Sequence, residues 1–227
     1  MIGYYNKSVI LTYISLFSAV IGMTMALRGD PKSALICLMV CGRCDMFDGT
    51  IARRCKRTPD EESFGVQIDS LCDLVCFGVF PAMLGYGIKD IEVSAFDIIA
   101  SALFVLAAII RLGYFNVQEI NRKQENGGKR EYYEGLPVTS VALLLPAIFL
   151  IGVYVKPIST INIYSVALVV IAIAFVLKFK LKKPYMHGLI ITAFIGLVIF
   201  LLIIKTEGDK IVYAKDALQL VCGQMLA

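Results

Sequence analysis

Seven apolar runs, each about as long as a lipid bilayer is thick, constrain this chain more than any other feature of its sequence. Each covers roughly 17–24 residues, and a helix of about 20 apolar residues crosses the hydrocarbon core of a membrane. The runs occupy residues 8–27, 31–47, 65–87, 94–117, 136–155, 161–178 and 187–204. They predict an all-α fold, a polytopic transmembrane helical bundle that forms one integral-membrane domain over residues 1–227. The tail, residues 211–226, is apolar on one side and predicts either an eighth short span or an interfacial helix.

The composition agrees with this fold class. The 227 residues are 58% hydrophobic and 18% charged, with a mean hydropathy of +0.76, whereas soluble domains are about 45–50% apolar and about 25% charged. The charges are bunched between the apolar runs, which indicates loops rather than a soluble surface. These features exclude a secreted disulfide-stabilised domain, a nucleic-acid-binding protein and a disordered chain.

The distribution of lysine and arginine predicts the orientation in the membrane. Alternate loops carry twelve basic residues, in clusters at 53–57, 122–130 and 178–183, against six in the other set of loops. Short cytoplasmic loops are enriched in lysine and arginine. We therefore expect the basic loops and the N-terminus to face the cytoplasm.

Four aspartates at the cytoplasmic ends of the second and third runs form the most informative cluster. Asp45 and Asp48 lie one helical turn apart, and so do Asp69 and Asp73, with Gly65 one turn earlier on the same face. A carboxylate at membrane depth is costly unless it is paired, hydrated or bound to a cation. Two hard divalent cations would neutralise four converging carboxylates and accept their oxygens as ligands. Such a pair suits phosphoryl chemistry, because it neutralises a diphosphate and its leaving group.

Small residues and one arginine accompany the aspartates. Gly49, Ala52 and Gly65 leave the facing helix surfaces bare, so a bulky ligand can approach the backbone, and Arg53 offers a fixed positive charge for a phosphate oxygen. Taken singly, each feature has a plainer interpretation: an acidic helix end is also typical of a hydrated interface, and glycines are typical of close helix packing. The combination favours a site.

Eight of these positions resemble the signature of the CDP-alcohol phosphotransferases. Members of that family are integral membrane enzymes that move a phosphatidyl group from a CDP-linked lipid to an alcohol and release CMP. In this sequence the signature, within residues 45–73, reads Asp45-x2-Asp48-Gly49-x2-Ala52-Arg53, then Gly65-x3-Asp69-x3-Asp73. Between Arg53 and Gly65 stand 11 residues, three more than in the usual pattern. The excess lies in the polar run 56–62 and predicts a longer cytoplasmic loop.

Further runs resemble the phosphatidylserine synthase branch of that family. Residues 64–73, followed by 77–82, are similar to its FG-x3-DSL-x-D-x3-FG-x2-PA run. Residues 111–116 resemble its RLARFN run, with Gly-Tyr in place of Ala-Arg, and residues 135–137 resemble its Gly-Leu-Pro. The resemblance covers roughly residues 1–150, and the last spans carry no readable signature.

The resemblance implies a reaction: transfer of the phosphatidyl group from CDP-diacylglycerol to L-serine, giving phosphatidylserine and CMP. It also implies a homodimer and two divalent cations, Mg²⁺ or Mn²⁺. Asp45, Asp48 and Asp69 would be metal ligands. Asp73 would share the metal site and act as the general base that takes the proton of the serine hydroxyl.

The resemblance also implies residues that bind the CDP-lipid, and the two charged groups of serine indicate candidates for binding the acceptor. The residues expected to bind the CDP-lipid are Gly49, Thr50, Ala52, Arg53 and Gly65. Arg111, deep in the fourth run, is a candidate for binding the carboxylate of serine or a lipid phosphate, with Asn116 nearby; alternatively, Arg111 pairs structurally with an aspartate. Glu134 is a candidate for holding the ammonium group of serine.

Two other functions remain open on the sequence. The same reaction with another acceptor, glycerol 3-phosphate or inositol phosphate, would require a second basic cluster facing the pocket, and we expect only Arg111 to face it from membrane depth. A divalent-cation transporter also carries intramembrane acids, but it usually places them near mid-membrane on several helices.

Overall fold

A computed structural model describes residues 3–89, 93–124, 132–154, 160–182 and 186–206, so the predicted segment 211–226 lies outside the described residues. The helices are α1 (Ile10–Leu27), α2 (Pro31–Arg54), α3 (Pro59–Asp73), α4 (Phe80–Lys89), α5 (Ala95–Gln124), α6 (Val141–Tyr154), α7 (Thr160–Val176) and α8 (Met186–Lys205). Each of the seven predicted runs overlaps a helix. The third run holds both α3 and α4, joined by a π-helical turn at Leu74–Val79. The predicted helical bundle is confirmed.

The number of spans stays a prediction. By length and composition, three described stretches are able to cross a membrane: Lys7–Leu27, Pro59–Ile88 and Ala95–Arg122. The shorter apolar helices are Val138–Tyr154, Ile163–Val176 and Ile191–Lys205.

Two short strands depart from the purely helical expectation. β1 (Tyr132–Glu134) pairs antiparallel with β2 (Lys180–Lys182), with Glu134 opposite Lys180. The pair ties the segment before α6 to the segment after α7. Strands of three residues are too short to show an alternating pattern, so this pair was not predictable from the sequence.

The expected long loop between α2 and α3 is wrong. α2 ends at Arg54 and α3 already begins at Pro59, so most of the polar run 56–62 lies in the first turn of α3. Thr58 caps that turn: its side chain accepts a hydrogen bond from the Glu61 backbone N–H at 3.3 Å, and Glu61 accepts one from the Thr58 N–H at 2.8 Å. Residues 59–62 of that run therefore belong to a helix.

The buried core is formed mainly by α2, α4, α5, α6 and α7, and α1 packs along α2 and also contacts α4. Close approaches of these helices require glycine. Gly87 on α4 faces the backbone carbonyl of Ala26 on α1, and Gly42 on α2 lies so close to α6 that an added Cβ would be 2.5 Å from the Ala142 Cβ. The short distance between α2 and α6 sets one wall of the site described below.

Replacing Gly87 with alanine is expected to lower the free energy of unfolding by about 1–3 kcal/mol, the usual cost of overpacking. The new methyl group would meet the Ala26 carbonyl, which cannot move without shifting α1. Thermal unfolding in detergent measures the effect. Gly113→Ala in α5 is the matched control, because nothing lies within 4 Å of its added Cβ; it should be neutral or stabilising by up to about 1 kcal/mol. Equal melting temperatures for the two variants would contradict the close α1–α4 contact.

Candidate active site

A cavity of about 630 Å³ lies among α2, α3, α5, the turn at Val138–Ser140, α6 and α8. The polar and small residues on its acidic side are Asp45, Asp48, Gly49, Asp69, Asp73 and Arg111. The structure therefore brings the four aspartates of the signature, two from α2 and two from α3, to one cavity. All four are half-buried.

The carboxylates interact with one another across the cavity. Because all four line the same cavity, their charges repel one another when they are ionised. The Gly49 N–H donates a hydrogen bond to Asp48. In the part of the chain that the structure describes, no three acidic, histidine or cysteine side chains are already gathered as a finished metal site. The donor set nevertheless fits hard divalent cations, which prefer carboxylate oxygens.

Asp73 occupies a distinctive backbone position. It is the last residue of α3, directly before the π-helical turn Leu74–Val79. Such turns are frequent at functional sites, because the extra residue re-aims the side chains beside it.

The residues expected to bind the CDP-lipid divide into two groups. Gly49 lines the cavity, whereas Thr50, Ala52 and Gly65 are not among its described lining. The bare face of Gly65 points toward Arg57, since an added Cβ would be 3.8 Å from the Arg57 Nη1 atom. Arg53 lies in the last turn of α2, and its side chain is outside what the structure describes.

Arg111 is buried on the cavity wall and supports a turn. Its Nε donates to the Leu136 carbonyl at 2.9 Å and its Nη2 to the Gly135 carbonyl at 3.4 Å. Gly135 has φ of +80°, the left-handed region that favours glycine, and an added Cβ would be 2.9 Å from the Leu177 carbonyl oxygen. The Gly-Leu-Pro turn, whose Pro137 lines the cavity, is thus held in place by Arg111.

Asn116 lies away from the described cavity lining. Its Nδ2 donates to the Ser70 hydroxyl at 2.8 Å, and that hydroxyl lies 3.1 Å from the Asn116 Oδ1. Because Ser70 follows Asp69 in α3, this contact fixes α3 against α5 next to one of the carboxylates.

Glu134 ties the strand pair to the bundle rather than lining the cavity. Its carboxylate accepts hydrogen bonds from the Tyr114 hydroxyl at 2.7 Å and the Gln118 amide at 2.8 Å, and it lies 3.6 Å from the Lys178 ammonium group. Tyr114 stands where the resembling branch has arginine. Glu134 was the candidate for holding the ammonium group of serine, and its carboxylate is already engaged by these three protein groups.

The hydrogen bond from Tyr114 lowers the pKa of Glu134, helped by Gln118 and Lys178. A carboxylate whose pKa is lower in the folded state than in the unfolded state stabilises the fold at pH values above its unfolded-state pKa. This contribution is lost as the pH falls through its folded-state pKa. Tyr114→Phe should therefore raise the pKa of Glu134 and move the acid-side loss of stability to higher pH. Melting temperatures between about pH 3 and 7, the region where glutamate titrates, measure the shift. Tyr154→Phe, at an exposed site on α6, is the control, and coincident profiles for Tyr114→Phe and the unmodified protein would contradict the prediction.

Two parts of the cavity were missed by sequence reasoning. Arg43 lines it from α2, and Thr192, Ala193 and Gly196 line it from α8. Arg43 was detectable as a cation inside a predicted span. The α8 residues gave no signal, because small residues in an apolar helix are ordinary.

Comparison with known proteins identifies the class. The family model for CDP-alcohol phosphatidyltransferase matches residues 5–179, most of the chain. The chain belongs to the CDP-alcohol phosphatidyltransferase family, a phosphotransferase family of phospholipid biosynthesis. α8 lies beyond the matched residues.

Several relatives carry names that specify a reaction. The chain is 28% identical over 180 residues to the archaetidylserine synthase of Methanothermobacter thermautotrophicus, covering 79% of this chain and 70% of that protein. It is 40% identical over 107 residues to the CDP-diacylglycerol–serine O-phosphatidyltransferase of Saccharomyces cerevisiae, covering 46% of this chain and 37% of that protein. The enzyme of the same name from Bacillus subtilis is 29% identical over 101 residues, 44% of this chain and 51% of that protein. The chain thus spans about half or less of these last two relatives.

Proposed function

We propose that this chain transfers the phosphatidyl group from CDP-diacylglycerol to L-serine, giving phosphatidylserine and CMP. The observation that carries the proposal is the convergence of Asp45, Asp48, Asp69 and Asp73 on one cavity. Relatives named as serine phosphatidyltransferases support the choice of acceptor. Membership of a transferase family also favours an enzyme over a divalent-cation transporter.

The same four carboxylates would hold the divalent cations, with Asp45, Asp48 and Asp69 as ligands and Asp73 beside them. Bound there, two ions, Mg²⁺ or Mn²⁺, would neutralise the diphosphate and the departing CMP.

Asp73 then has the proton-transfer role. A serine hydroxyl is a weak nucleophile until a positioned carboxylate takes its proton during attack. In the proposed step, Asp73 accepts that proton, the serine oxygen bonds to the lipid-side phosphorus, and the bond from that phosphorus to the CMP oxygen breaks. The Gly49 N–H donates a hydrogen bond to Asp48, so that carboxylate is oriented before the substrate arrives.

The other proposed roles concern the CDP-lipid and the acceptor, and of their residues only Gly49 and Arg111 are among the described lining of the cavity. Gly49 would lie against the cytidine diphosphate, with Thr50, Ala52, Arg53 and Gly65 completing the surface toward the cytoplasm. The acceptor side would be formed by Arg111, which also holds the Gly-Leu-Pro turn, and Asn116 would act through Ser70 by fixing α3. We further propose that the site faces the cytoplasm, as the basic loops indicate. We also propose that the protein is a homodimer, as the family resemblance implies.

The experiment is CMP release by the purified full chain in detergent with Mg²⁺ or Mn²⁺. Donors are CDP-diacylglycerol and its archaeol ether counterpart, since one relative is named an archaetidylserine synthase. Acceptors are L-serine, glycerol 3-phosphate, inositol phosphate or none. Serine-dependent release supports the proposal. Release with only a phosphorylated acceptor would overturn the choice of serine, and no release with any pair would overturn the proposed reaction.

A further inference from the structure

Arg43 is a cation inside a predicted span that the proposed reaction has not used. It lies on α2 within the apolar run 31–47, its side chain is exposed, and it lines the same cavity as the aspartates. Among the residues that the structure describes, it has no hydrogen-bond or ion-pair partner. Because Arg43 lines the cavity and makes no such contact within the described protein, its guanidinium group is available to a ligand there.

The second arginine of the cavity is already engaged. Arg111 donates to the carbonyls of Leu136 and Gly135 and thereby holds the Gly-Leu-Pro turn. Arg43 is therefore the better placed of the two to give its guanidinium group to a substrate.

Arg43 and the carboxylates lie on opposite sides of the contact between α2 and α6. In that contact, Gly42 of α2 lies against Ala142 of α6. Successive residues of an α-helix are rotated by about 100° around its axis. Arg43 is therefore rotated by about 100° from Gly42 in one direction around α2, and Asp48, six residues after Gly42, by about 120° in the opposite direction. The cavity therefore has an acidic side between α2 and α3 and a side, toward α6 and α8, that carries Arg43.

The residues on the Arg43 side are otherwise mostly apolar or small. They include Met39 and Met46 of α2, Leu143 of α6, and Ala193 and Gly196 of α8. α6 and α8 are tightly packed here, since a Cβ at Gly196 would be 3.1 Å from the Leu143 Cδ2 atom. An apolar wall with one cation suits a lipid that carries an anionic group.

We propose that Arg43 binds the lipid-side phosphate of the CDP-linked donor, with the lipid portion lying against α6 and α8. This rests on the proposed function only in taking a CDP-linked lipid as the donor. Serine is assigned to the acidic side, because its ammonium group needs an acid, and the lipid-side phosphorus that its hydroxyl attacks then lies in the cavity between the carboxylates and Arg43. A guanidinium group binds two phosphate oxygens at once, which fixes the phosphorus as well as attracting it.

The test measures equilibrium binding of radiolabelled CDP-diacylglycerol to the full chain in nanodiscs. Arg43→Met keeps the length of the side chain and removes the charge, and should weaken donor binding by about ten-fold or more, the loss expected for a charge-assisted contact. Arg43→Lys keeps the charge and should recover part of the affinity. Arg28→Gln, at an exposed site between α1 and α2, is the control and should bind like the unmodified protein. The KM for serine is measured in parallel and should stay within about two-fold for all variants, since Arg43 is assigned to the donor alone.

The outcomes separate this proposal from the proposed function. Unchanged donor binding in Arg43→Met and Arg43→Lys would overturn the role of Arg43. A raised KM for serine with unchanged donor binding would overturn it as well, because the guanidinium would then serve the acceptor. If the unmodified protein binds the donor but releases no CMP with serine, the choice of serine fails, while the binding comparison still decides on Arg43.

Discussion

Replacing Asp73 with asparagine is expected to reduce serine-dependent CMP release by about 10²–10⁴-fold, the contribution of a positioned general base. Asparagine keeps the shape of the side chain at the end of α3, but it cannot take the proton of the serine hydroxyl. The loss should appear in kcat more than in the KM for CDP-diacylglycerol, because proton transfer belongs to the transition state. Initial rates over a range of both substrates measure the two parameters.

Asp60→Asn is the matched control for this variant. It makes the same chemical change in the first turn of the same helix, where the side chain is exposed and is not among the described residues that line the cavity. It should keep near-normal activity. Recovery of the Asp73→Asn activity at high metal concentration would reassign Asp73 from base to metal ligand, and a rate within about three-fold of normal would exclude both roles, since a general base contributes far more.

Removal of divalent cations with a chelator is expected to abolish CMP release, and Mg²⁺ or Mn²⁺ should restore it. Asp48→Asn removes one charged oxygen from a site whose affinity depends on the number of charged ligands, so the half-activating metal concentration should rise by about ten-fold or more. Free Mn²⁺ measured by electron paramagnetic resonance reports binding independently of turnover.

Asp60→Asn again provides the comparison and should bind Mn²⁺ normally. Full activity in the chelated protein would contradict a metal-assisted reaction. Equal Mn²⁺ affinity in Asp48→Asn and the unmodified protein would remove Asp48 from the ligand set while leaving the family assignment intact.

The aspartates and the glycine beside them were predictable because their spacing is a helical property. Asp45 and Asp48 share a face of α2, as Asp69 and Asp73 share a face of α3, whatever surrounds those helices. The extra polar residues before Gly65 were harder to place. Thr58, Pro59 and Glu61 form a helix start in the structure, and their spacing already carried the pattern of a capping box that the loop interpretation overlooked.

The acceptor-side residues show what spacing cannot decide. Arg111 and Asn116 are five residues apart on one helix, yet the first lines the cavity while the second contacts Ser70. Whether a side chain on α5 reaches the cavity depends on how α5 is rotated against its neighbours. That rotation is set by packing and by the turn that Arg111 supports.

The sequence by itself determined the helical bundle, because apolar runs of membrane length leave few other folds, and it determined the acidic motif, because one helical turn brings residues three or four apart together. Only the tertiary structure decided that α8 and Arg43 share the cavity with the four aspartates. Their approach depends on contacts between residues far apart in the chain, such as Gly42 with Ala142 and Gly196 with Leu143. Contacts of this kind follow from the packing of whole helices and leave no periodic pattern in the sequence.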